Sequence, residues 1–377
     1  MTRALVLLTS LLATHPLASA AGPVVDPSTA KADANGQVLW YDAHSVGIEG
    51  QGWSDTKAPF DRFPAKAEKI VRPPVWGLSH HSTGLCARFV TDAKTVSARW
   101  TVINKNLAMP HMPATGVSGL DLYMRDESGK WRWVANGRPA DVTTTATLAS
   151  GWPAGPHEFL LYLPLYNGVS SVEIGLPPGA KLMKPDERPA GHRKPVVFYG
   201  TSITQGGCAS RPGMVHTAIL GRRFDVPVIN LGFSGSGTLD PEVADLLGEL
   251  DVAVYVIDCL PNLQPKQVVE RAEPFVKRLR KARPETPILL VEDRTTAQAV
   301  ALPARKQFHI DNRAGLKKAF DTLVAAGDKN LYYLSGDHLI GDDGEGTVDG
   351  SHPTDLGFLR QADVMAEALA PLLGAKK

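Results

Sequence analysis

Three residue types that together can hydrolyse an ester occur in two short segments of the chain. Ser202 lies in the glycine-rich segment Gly200-Thr-Ser-Ile-Thr-Gln-Gly-Gly207, directly after an apolar run, and Asp349 precedes His352 by three residues. Serine hydrolysis needs a hydroxyl nucleophile, an imidazole that takes its proton and a carboxylate that orients the imidazole. We therefore predict Ser202 as the nucleophile, His352 as the general base and Asp349 as the residue that orients it.

The same reaction needs hydrogen-bond donors where negative charge develops on the substrate oxygen. The backbone N–H of Ser202 is one candidate, and the segment Asn230-Leu-Gly-Phe-Ser-Gly235 supplies a second at Gly232, where a bare backbone can approach a substrate closely. Asn262 offers a neutral side-chain amide. We predict an oxyanion hole formed by Ser202, Gly232 and Asn262.

Simpler interpretations of these residues stay open at this stage. Asn262 could cap the helix that follows it, because Asn is a preferred N-cap residue. The dipeptide His352-Pro353 could be a surface turn before the last helix. The nearby acids Asp337, Asp342 and Asp343 could replace Asp349, although their larger separation from His352 makes local pairing less direct.

The strands and helices that must position these residues can be predicted from the pattern of apolar residues in the C-terminal half. Five apolar, strand-like runs alternate with helix-length segments; the runs are residues 196–199, 226–230, 252–258, 288–292 and 331–334. The clearest helices are residues 214–224, 265–282, 314–326 and 353–373. Such alternation predicts a doubly wound parallel sheet with helices on both faces. Ligand sites of these folds lie at the carboxyl edge of the strands, where all the candidate residues occur.

The N-terminal half has a different pattern of apolar and turn-forming residues. From about residue 36 to 175, short alternating or β-branched segments are separated by Gly, Pro, Asn and Asp, which indicates an antiparallel β-sandwich. Prolines mixed with Lys and Glu between residues 177 and 195 indicate a linker. The length of 377 residues also favours two domains. We place the sandwich at residues 22–185 and the catalytic domain at residues 186–377.

The first 20 residues have one positive charge, a short apolar stretch and the small-residue pattern Ala18-Ser-Ala20. This pattern predicts a cleavable signal peptide, and therefore a secreted or periplasmic protein. Without that segment 39 basic residues face 39 acidic ones, so the charge balance gives no reason to expect binding to nucleic acid or to an acidic membrane. The oligomeric state is not predicted.

Three cysteines are too few for a disulfide scaffold. A bridge between Cys208 and Cys259 is conceivable in an oxidising compartment, and buried thiols are the alternative. His80, His81 and His338 invite a metal interpretation, but no compact set of His, Cys and carboxylate residues accompanies them in the sequence. We expect neither a catalytic metal nor a cofactor.

With these segments in place, the chain resembles the SGNH, or GDSL-type, hydrolase family. The four signature residues of that family would match Ser202, Gly232, Asn262 and His352, and Gly119-Leu-Asp-Leu-Tyr123 is similar to the Gly-x-Asp-Leu-Tyr motif of an N-terminal domain found in one subgroup. The resemblance implies a flavodoxin-like, three-layer α/β/α hydrolase domain preceded by a jelly-roll-like sandwich. The sequence departs from the usual Gly-Asp-Ser-Leu block at Thr201, so support for the site must come from another residue.

The resemblance also implies a function: a secreted serine esterase that removes small acyl groups, acetyl foremost, from an oligosaccharide or polysaccharide. Two alternatives remain. One is a lipase-like or thioesterase-like acyl hydrolase for longer chains. The other is a glycan-binding protein on an inactive hydrolase scaffold. Fold-level analogy is a weak guide to substrate, so the sequence leaves open which sugar and which position are acylated.

Overall fold

The computed structural model describes residues 21–375 of the chain, so the segment predicted as a signal peptide lies outside the described residues. Twelve strands form the antiparallel part: β1 Ala21–Val24, β2 Lys31–Ala32, β3 Leu39–Asp42, β4 Ile48–Glu49, β5 Cys86–Thr91, β6 Thr95–Val102, β7 Leu120–Arg125, β8 Trp131–Gly137, β9 Thr143–Ser150, β10 His157–Tyr162, β11 Val169–Leu176 and β12 Leu182–Pro185. Two short helices, α1 Pro73–Ser79 and α2 Ala114–Val117, lie between them.

These strands form two sheets that share one core. The seven-stranded sheet has the order β1-β12-β5-β10-β7-β8 with β4 beside β5, and the five-stranded sheet has the order β2-β3-β11-β6-β9. Strand β6 illustrates the pattern, because Val96, Ala98 and Trp100 are fully buried while Arg99 and Thr101 are partly exposed. Alternation of this kind places one face of a strand in a core. The prediction of an antiparallel sandwich is confirmed.

The second part contains five strands: β13 Val196–Gly200, β14 Val228–Gly232, β15 Val254–Asp258, β16 Ile288–Val291 and β17 Leu331–Leu334. Six helices accompany them: α3 Ser202–Gln205, α4 His216–Phe224, α5 Pro241–Leu247, α6 Pro265–Ala282, α7 Pro303–Ala325 and α8 Asp355–Leu369. The strands are parallel and have the order β14-β13-β15-β16-β17, which is the flavodoxin-like order.

Strand β13 shows why this sheet has helices on both faces. Its residues are all buried, with Val197 and Tyr199 packed in a cluster with α5, α6 and α7, and Val196 and Phe198 in a second cluster with α4 and α8. Strands buried on both sides are typical of parallel sheets. The predicted three-layer α/β/α arrangement is confirmed.

Several predicted helix boundaries need correction. Helix α4 begins at His216 instead of residue 214, and the last helix ends at Leu369 instead of residue 373. Helix α7 begins at Pro303 instead of residue 314, and its Pro occupies the first turn, where no backbone N–H is needed. The last helix begins at Asp355 instead of residue 353, because Thr354 caps it by accepting a hydrogen bond from the N–H of Gly357 at 3.2 Å. Within residues 21–375, none of the helices combines the length and the hydropathy that crossing a membrane would require.

A fully buried arginine joins the sandwich to the parallel sheet. The Arg62 guanidinium donates to the carbonyl oxygens of Leu78 (2.7 Å) and His81 (2.8 Å) in its own domain, and to those of Asn230 and Gly232 (both 2.9 Å) at the end of β14. Burial lowers the pKa of Arg62 to about 9. The four carbonyls satisfy a guanidinium that has little contact with solvent.

The Gly-x-Asp-Leu-Tyr segment forms a second connection. The carboxylate of Asp121 is fully buried and accepts hydrogen bonds from Arg211 Nη1 (2.7 Å), the backbone N–H of Gly213 (2.8 Å) and Trp133 Nε1 (2.8 Å). The Tyr123 hydroxyl lies 2.6 Å from the same Arg211 atom. This motif of the sandwich therefore contacts the loop that follows the Ser202 segment.

Candidate active site

The turn after β13 determines the position of Ser202. The Thr201 hydroxyl caps helix α3 by accepting from the N–H of Ile203 at 3.2 Å, and Ser202 is the first residue of that helix. Helix α3 ends after four residues at Gly206, whose φ of +107° few residues other than glycine adopt. A sharp turn directly after a buried strand places the Ser202 side chain at the carboxyl edge of the sheet, where it is 8% exposed.

The structure brings Ser202, His352 and Asp349 into one chain of hydrogen bonds. His352 Nε2 lies 2.8 Å from Ser202 Oγ, and His352 Nδ1 lies 2.7 Å from Asp349 Oδ2. Since Asp349 accepts at Nδ1, that nitrogen carries the proton and Nε2 is left to accept the proton of the serine hydroxyl. The geometry is that of a nucleophile, a base and an orienting carboxylate.

The loop from Val348 to His352 holds this arrangement locally. The N–H of Val348 donates to the carbonyl of His352 at 2.8 Å, and Asp349 Oδ1 accepts from the N–H groups of Ser351 (3.0 Å) and His352 (2.8 Å). Partial burial raises the pKa of Asp349, but the N–H and imidazole of His352 and the N–H of Ser351 outweigh burial and lower it below its ordinary value. The carboxylate is therefore ionised at neutral pH.

Two of the other acids considered for this role pair with arginines. Asp337 Oδ1 lies 2.8 Å from Arg313 Nη1, and Asp343 Oδ2 lies 2.7 Å from Arg360 Nη2. Asp342 is exposed, and no hydrogen bond joins it to His352 within residues 21–375. Of these carboxylates, Asp349 is the one that contacts His352.

The prediction for Gly232 needs correction. Its backbone N–H already donates to the Asn230 side-chain oxygen at 2.9 Å, and the residue is buried at the end of β14. A Cβ atom at Gly232 would lie 2.1 Å from the Gln205 backbone nitrogen. The bare backbone at this position therefore lets β14 pack against α3, and its N–H is not available to a substrate.

Gly235, three residues further on, has the properties that were expected of Gly232. It is exposed, has a φ of +65°, and has no atom within 4 Å of where a side chain would begin. Its N–H makes no hydrogen bond to another residue in the described part of the chain. The available sequence signal was the Ser-Gly-Ser turn of residues 234–236, in which a left-handed backbone favours glycine.

Asn262 ends a short 3₁₀ turn, Leu260–Asn262, after β15. It does not cap helix α6, because Gln264 is the cap residue and its N–H bonds to Gln267 Oε1 at 2.9 Å. The amide orientation that satisfies its surroundings lets Oδ1 accept from the N–H groups of Ser236 (3.2 Å) and Gly237 (3.3 Å). This orientation turns the Asn262 NH₂ group away from those donors.

One loop connects the candidate donors to the serine. The N–H of Phe233 donates to the carbonyl of Gly200 at 3.0 Å, and a Cβ at Gly237 would lie 1.9 Å from that same oxygen. Residues 233–237 therefore lie directly against the strand end that leads to Ser202. Asn262 contacts the other side of this loop at Gly237. The segments of Ser202, Gly235 and Asn262 are thus neighbours at one edge of the sheet.

Gln205 and the sandwich domain hold the loop beside Ser202, where Thr201 has no carboxylate to contribute. Gln205 Oε1 accepts from the N–H of Ser234 at 2.9 Å, and its Nε2 lies 2.9 Å from His81 Nδ1. Burial lowers the pKa of His81 to about 4, with further contributions from Arg62 and His80. His81 is therefore neutral near pH 7, and its Nδ1 can accept from the Gln205 amide.

The sandwich domain also contacts the candidate catalytic residues themselves. The Tyr166 hydroxyl donates to the Ser202 carbonyl at 3.0 Å, and the His111 ring centroid lies 5.8 Å from that of His352. Neither contact was predicted from the sequence, in which Tyr166 is at most an aromatic that could stack on a sugar ring. No sequence pattern marks them, because both lie in loops distant from the hydrolase motifs.

All three cysteines are buried free thiols, so Cys208 and Cys259 are not bridged in this structure. Burial, together with the charge of Asp349, raises the pKa of Cys208 to about 12. Two of the three histidines first considered for a metal have protein partners, since His80 bonds to Asp61 at 2.7 Å and His81 to Gln205 at 2.9 Å. No hydrogen bond or ion pair joins the His338 side chain to another residue among 21–375, and it lies outside the candidate active site group.

Comparisons with known proteins identify both parts of the chain. Residues 193–370 match the model of the GDSL-like lipase/acylhydrolase family, and residues 38–182 match the N-terminal domain of SGNH-hydrolase-type esterases that carries the Gly-x-Asp-Leu-Tyr motif. A crystal structure from Bacteroides ovatus, described as a GDSL-like lipase, has 33% identity and a TM-score of 0.85, covering 90% of this chain and 99% of that one.

Two more distant structures share the fold. A salicylyl-acyltransferase from a tetracycline biosynthetic pathway has 22% identity and a TM-score of 0.68, covering 91% of this chain and 97% of its own. A family two carbohydrate esterase from Clostridium thermocellum, in complex with cellohexaose, has 15% identity and a TM-score of 0.55, covering 78% and 93%. A search of curated proteins found no match.

The fold and these matches define the class, an α/β acyl hydrolase with an attached β-sandwich domain. The chain belongs to the GDSL-like lipase/acylhydrolase family, in the group whose SGNH-type esterase domain follows a Gly-x-Asp-Leu-Tyr domain.

Proposed function

We propose that this protein is an exported serine esterase that removes small acyl groups, acetyl foremost, from carbohydrates. The observation that carries the proposal is the hydrogen-bonded chain from Ser202 Oγ to His352 (2.8 Å) and on to Asp349 (2.7 Å). An activated serine is the element that hydrolysis of a carboxylic ester requires.

In the proposed reaction, His352 Nε2 takes the proton of Ser202 as Oγ attacks the acyl carbonyl carbon. The tetrahedral intermediate collapses to an acyl-enzyme, and the protonated imidazole gives its proton to the departing sugar hydroxyl. Water, deprotonated by the same nitrogen, then attacks the acyl-enzyme, and the imidazole returns that proton to Ser202 Oγ as the bond to the acyl group breaks and the acid is released. Asp349 keeps the imidazole oriented and stabilises its positive charge in both steps.

The oxyanion is proposed to bind the N–H groups of Ser202 and Gly235 and the amide of Asn262. The Ser202 N–H begins helix α3, so it has no acceptor within that helix, and neither it nor the Gly235 N–H bonds to another described residue. Preorganised donors of this kind stabilise charge that develops only in the transition state.

Two observations support the carbohydrate part of the proposal. A protein of the same fold is a carbohydrate esterase in complex with cellohexaose, at 15% identity. Export is proposed from the sequence of residues 1–20, and an exported esterase would meet polysaccharides outside the cytoplasm.

The test is acetate release from acetylated xylan, pectin, mannan and xyloglucan oligosaccharides, with the Ser202→Ala variant as control. We expect release from at least one of them by the natural protein and none by the variant. Release from none, with p-nitrophenyl acetate still hydrolysed, would remove the carbohydrate claim and keep the esterase.

A second series separates the alternatives from the proposal. Rates on p-nitrophenyl acetate, butyrate and octanoate should fall with chain length, whereas a lipase-like enzyme would prefer octanoate. A glycan-binding protein on an inactive scaffold would hydrolyse none of the three esters, yet it would still bind an acetylated glycan.

A further inference from the structure

Four side chains that can bind a transition metal meet at the edge of the candidate active site. One ligand atom from each of His111, Cys208, Asp349 and His352 can be chosen so that all four lie within 4.8 Å of one another. The sequence does not show this set as a group, because its members come from a loop of the sandwich, the loop after α3 and the loop before α8. The fold assembles them.

Two members of the set, His111 and Cys208, have no role in the proposed ester hydrolysis. His111 is exposed, and its ring makes no hydrogen bond to another residue among 21–375, so it can turn toward a ligand. Cys208 is a buried free thiol at a φ of +72°, a backbone conformation that few residues with side chains adopt. The backbone there is held in an unusual state beside His352 and Asp349.

The ligand types identify the class of ion. Imidazole nitrogen, thiolate sulfur and carboxylate oxygen together are the ligands of Zn²⁺ and chemically similar divalent ions. Tetrahedral zinc with bonds of about 2.0–2.3 Å needs its ligands roughly 3.3–3.8 Å apart. The four ligand atoms lie up to 4.8 Å apart, so some of them must move about 1 Å closer together to bind one zinc ion. Rotation of the exposed His111 side chain can supply part of this movement.

Metal binding here would oppose catalysis. Both ring nitrogens of His352 are already engaged, one by Ser202 and the other by Asp349. An ion that binds His352 must displace one of these partners, and either loss stops proton transfer. When the thiol becomes a ligand its proton leaves to solvent, no electron is transferred, and removal of the ion restores the original state.

We propose that His111, Cys208, Asp349 and His352 form an inhibitory site for Zn²⁺, through which the ion reversibly blocks the active site. Binding of the ion depends on the geometry of the four residues and stands without the proposed substrate. Its inhibitory consequence rests on the proposed function.

The first test measures binding without activity. Untagged full-length protein is titrated with ZnCl₂ by calorimetry, and with CoCl₂ while the thiolate-to-cobalt absorption in the near ultraviolet is recorded. We expect one site, with affinity reduced about tenfold or more in His111→Ala and in Cys208→Ser. The matched variants His157→Ala and Cys86→Ser should bind like the natural protein, and Cys208→Ser should lose the cobalt–thiolate absorption.

The second test measures the inhibition constant of Zn²⁺ on p-nitrophenyl acetate hydrolysis, each variant being compared with its own metal-free rate. We expect inhibition that EDTA reverses and a constant raised about tenfold or more in His111→Ala and Cys208→Ser. Equal affinity and equal inhibition in these variants and their matched controls would overturn the site. If the protein binds Zn²⁺ as expected but hydrolyses no ester, the site stands and the proposed function fails.

Discussion

The carboxyl edge of the parallel sheet and the face of the sandwich that covers it contribute to the site in different ways. The sheet edge supplies Ser202, His352 and Asp349, which form the hydrogen-bonded chain. The sandwich supplies Arg62, which binds the backbone carbonyl groups at the end of β14, and Tyr166, which binds the carbonyl of Ser202. One region offers the proposed reacting groups, and the other region binds the backbone beside them.

Substitutions in the two regions should therefore affect different properties, activity in one and stability in the other. Substitutions of Ser202, His352 or Asp349 should remove activity while leaving the fold intact, because their side chains bond mainly to one another and lie outside the packed cores. Substitutions at the buried contacts between the domains should lower stability first, since each leaves a buried polar group without its partner. The following predictions test that separation.

The largest effect is expected for the nucleophile. Ser202→Ala should reduce kcat for p-nitrophenyl acetate by about 10⁴-fold or more, because the reaction loses its covalent step. Thermal unfolding should change little, because alanine removes only the Ser202 hydroxyl, whose hydrogen-bond partner is His352. Steady-state kinetics measures the loss of kcat, and a melting curve of the same sample measures the stability. A near-normal kcat would contradict the proposal that Ser202 is the nucleophile.

The next effect concerns the proposed oxyanion donors. Asn262→Ala should lower kcat about 10²- to 10³-fold with a smaller change in KM, because the amide is proposed to act mainly in the transition state. Gln264→Ala is the matched control, since it alters the adjacent helix cap and leaves the proposed donor in place. A loss of less than tenfold in Asn262→Ala, or an equal loss in the control, would speak against this role.

At the interface, Asp121→Asn should lower the free energy of unfolding by about 3 kcal/mol. The substitution removes the charge that pairs with Arg211 in a buried setting, so the arginine is left poorly compensated. Urea unfolding followed by circular dichroism measures the change. Glu68→Gln, which disrupts the exposed pair with Lys57, should leave the urea midpoint nearly unchanged. An equal fall in the free energy of unfolding in both variants would show that the buried Asp121–Arg211 pair stabilises the protein no more than an exposed pair does.

The smallest effect, over the range from pH 7 to pH 5, is a pH dependence of stability within the hydrolase domain. Burial lowers the pKa of His216 to about 3, and its ring stacks on Phe358 without a hydrogen-bond partner in the described chain. An unfolded histidine, with an ordinary pKa near 6.5, takes up a proton at a higher pH than the folded one. The stability is therefore fully present above about pH 6.5 and decreases as pH falls toward about 3, by at most roughly 1.4 kcal/mol per pH unit.

Replacing His216 with Phe tests this pH effect. The variant keeps an aromatic ring beside Phe358 and removes the titrating group, so its melting temperature should fall less between pH 7 and pH 5 than that of the natural protein. Parallel curves for the two proteins would show that His216 does not contribute to acid sensitivity.

Much of the fold could be predicted from the sequence because its signals are local. Apolar runs alternating with helical segments indicate the parallel sheet, and the three-residue spacing of Asp349 and His352 lets one tight loop hold both. Helix α7 was predicted to begin eleven residues too late, since residues 303–313 lack a regular apolar face and their helical state depends on the proline start and on packing.

The remaining details depend on contacts between distant parts of the chain. Whether Gly232 or Gly235 can offer its N–H is decided by the Asn230 side chain and by the close approach of α3 to β14. Arg62 lies 168 residues from Asn230, and nothing in the segment around Arg62 indicates its partner. His111 reaches His352 only because the two domains pack together.

Covalent labelling shows whether Ser202 is the activated nucleophile that we propose. An organophosphorus ester that reacts with activated serines should add one group to the natural protein, and peptide mass spectrometry should place it on Ser202. His352→Ala should label far more slowly, because the hydroxyl loses its base. Modification at another residue, or equal labelling of Ser202→Ala, would contradict the account.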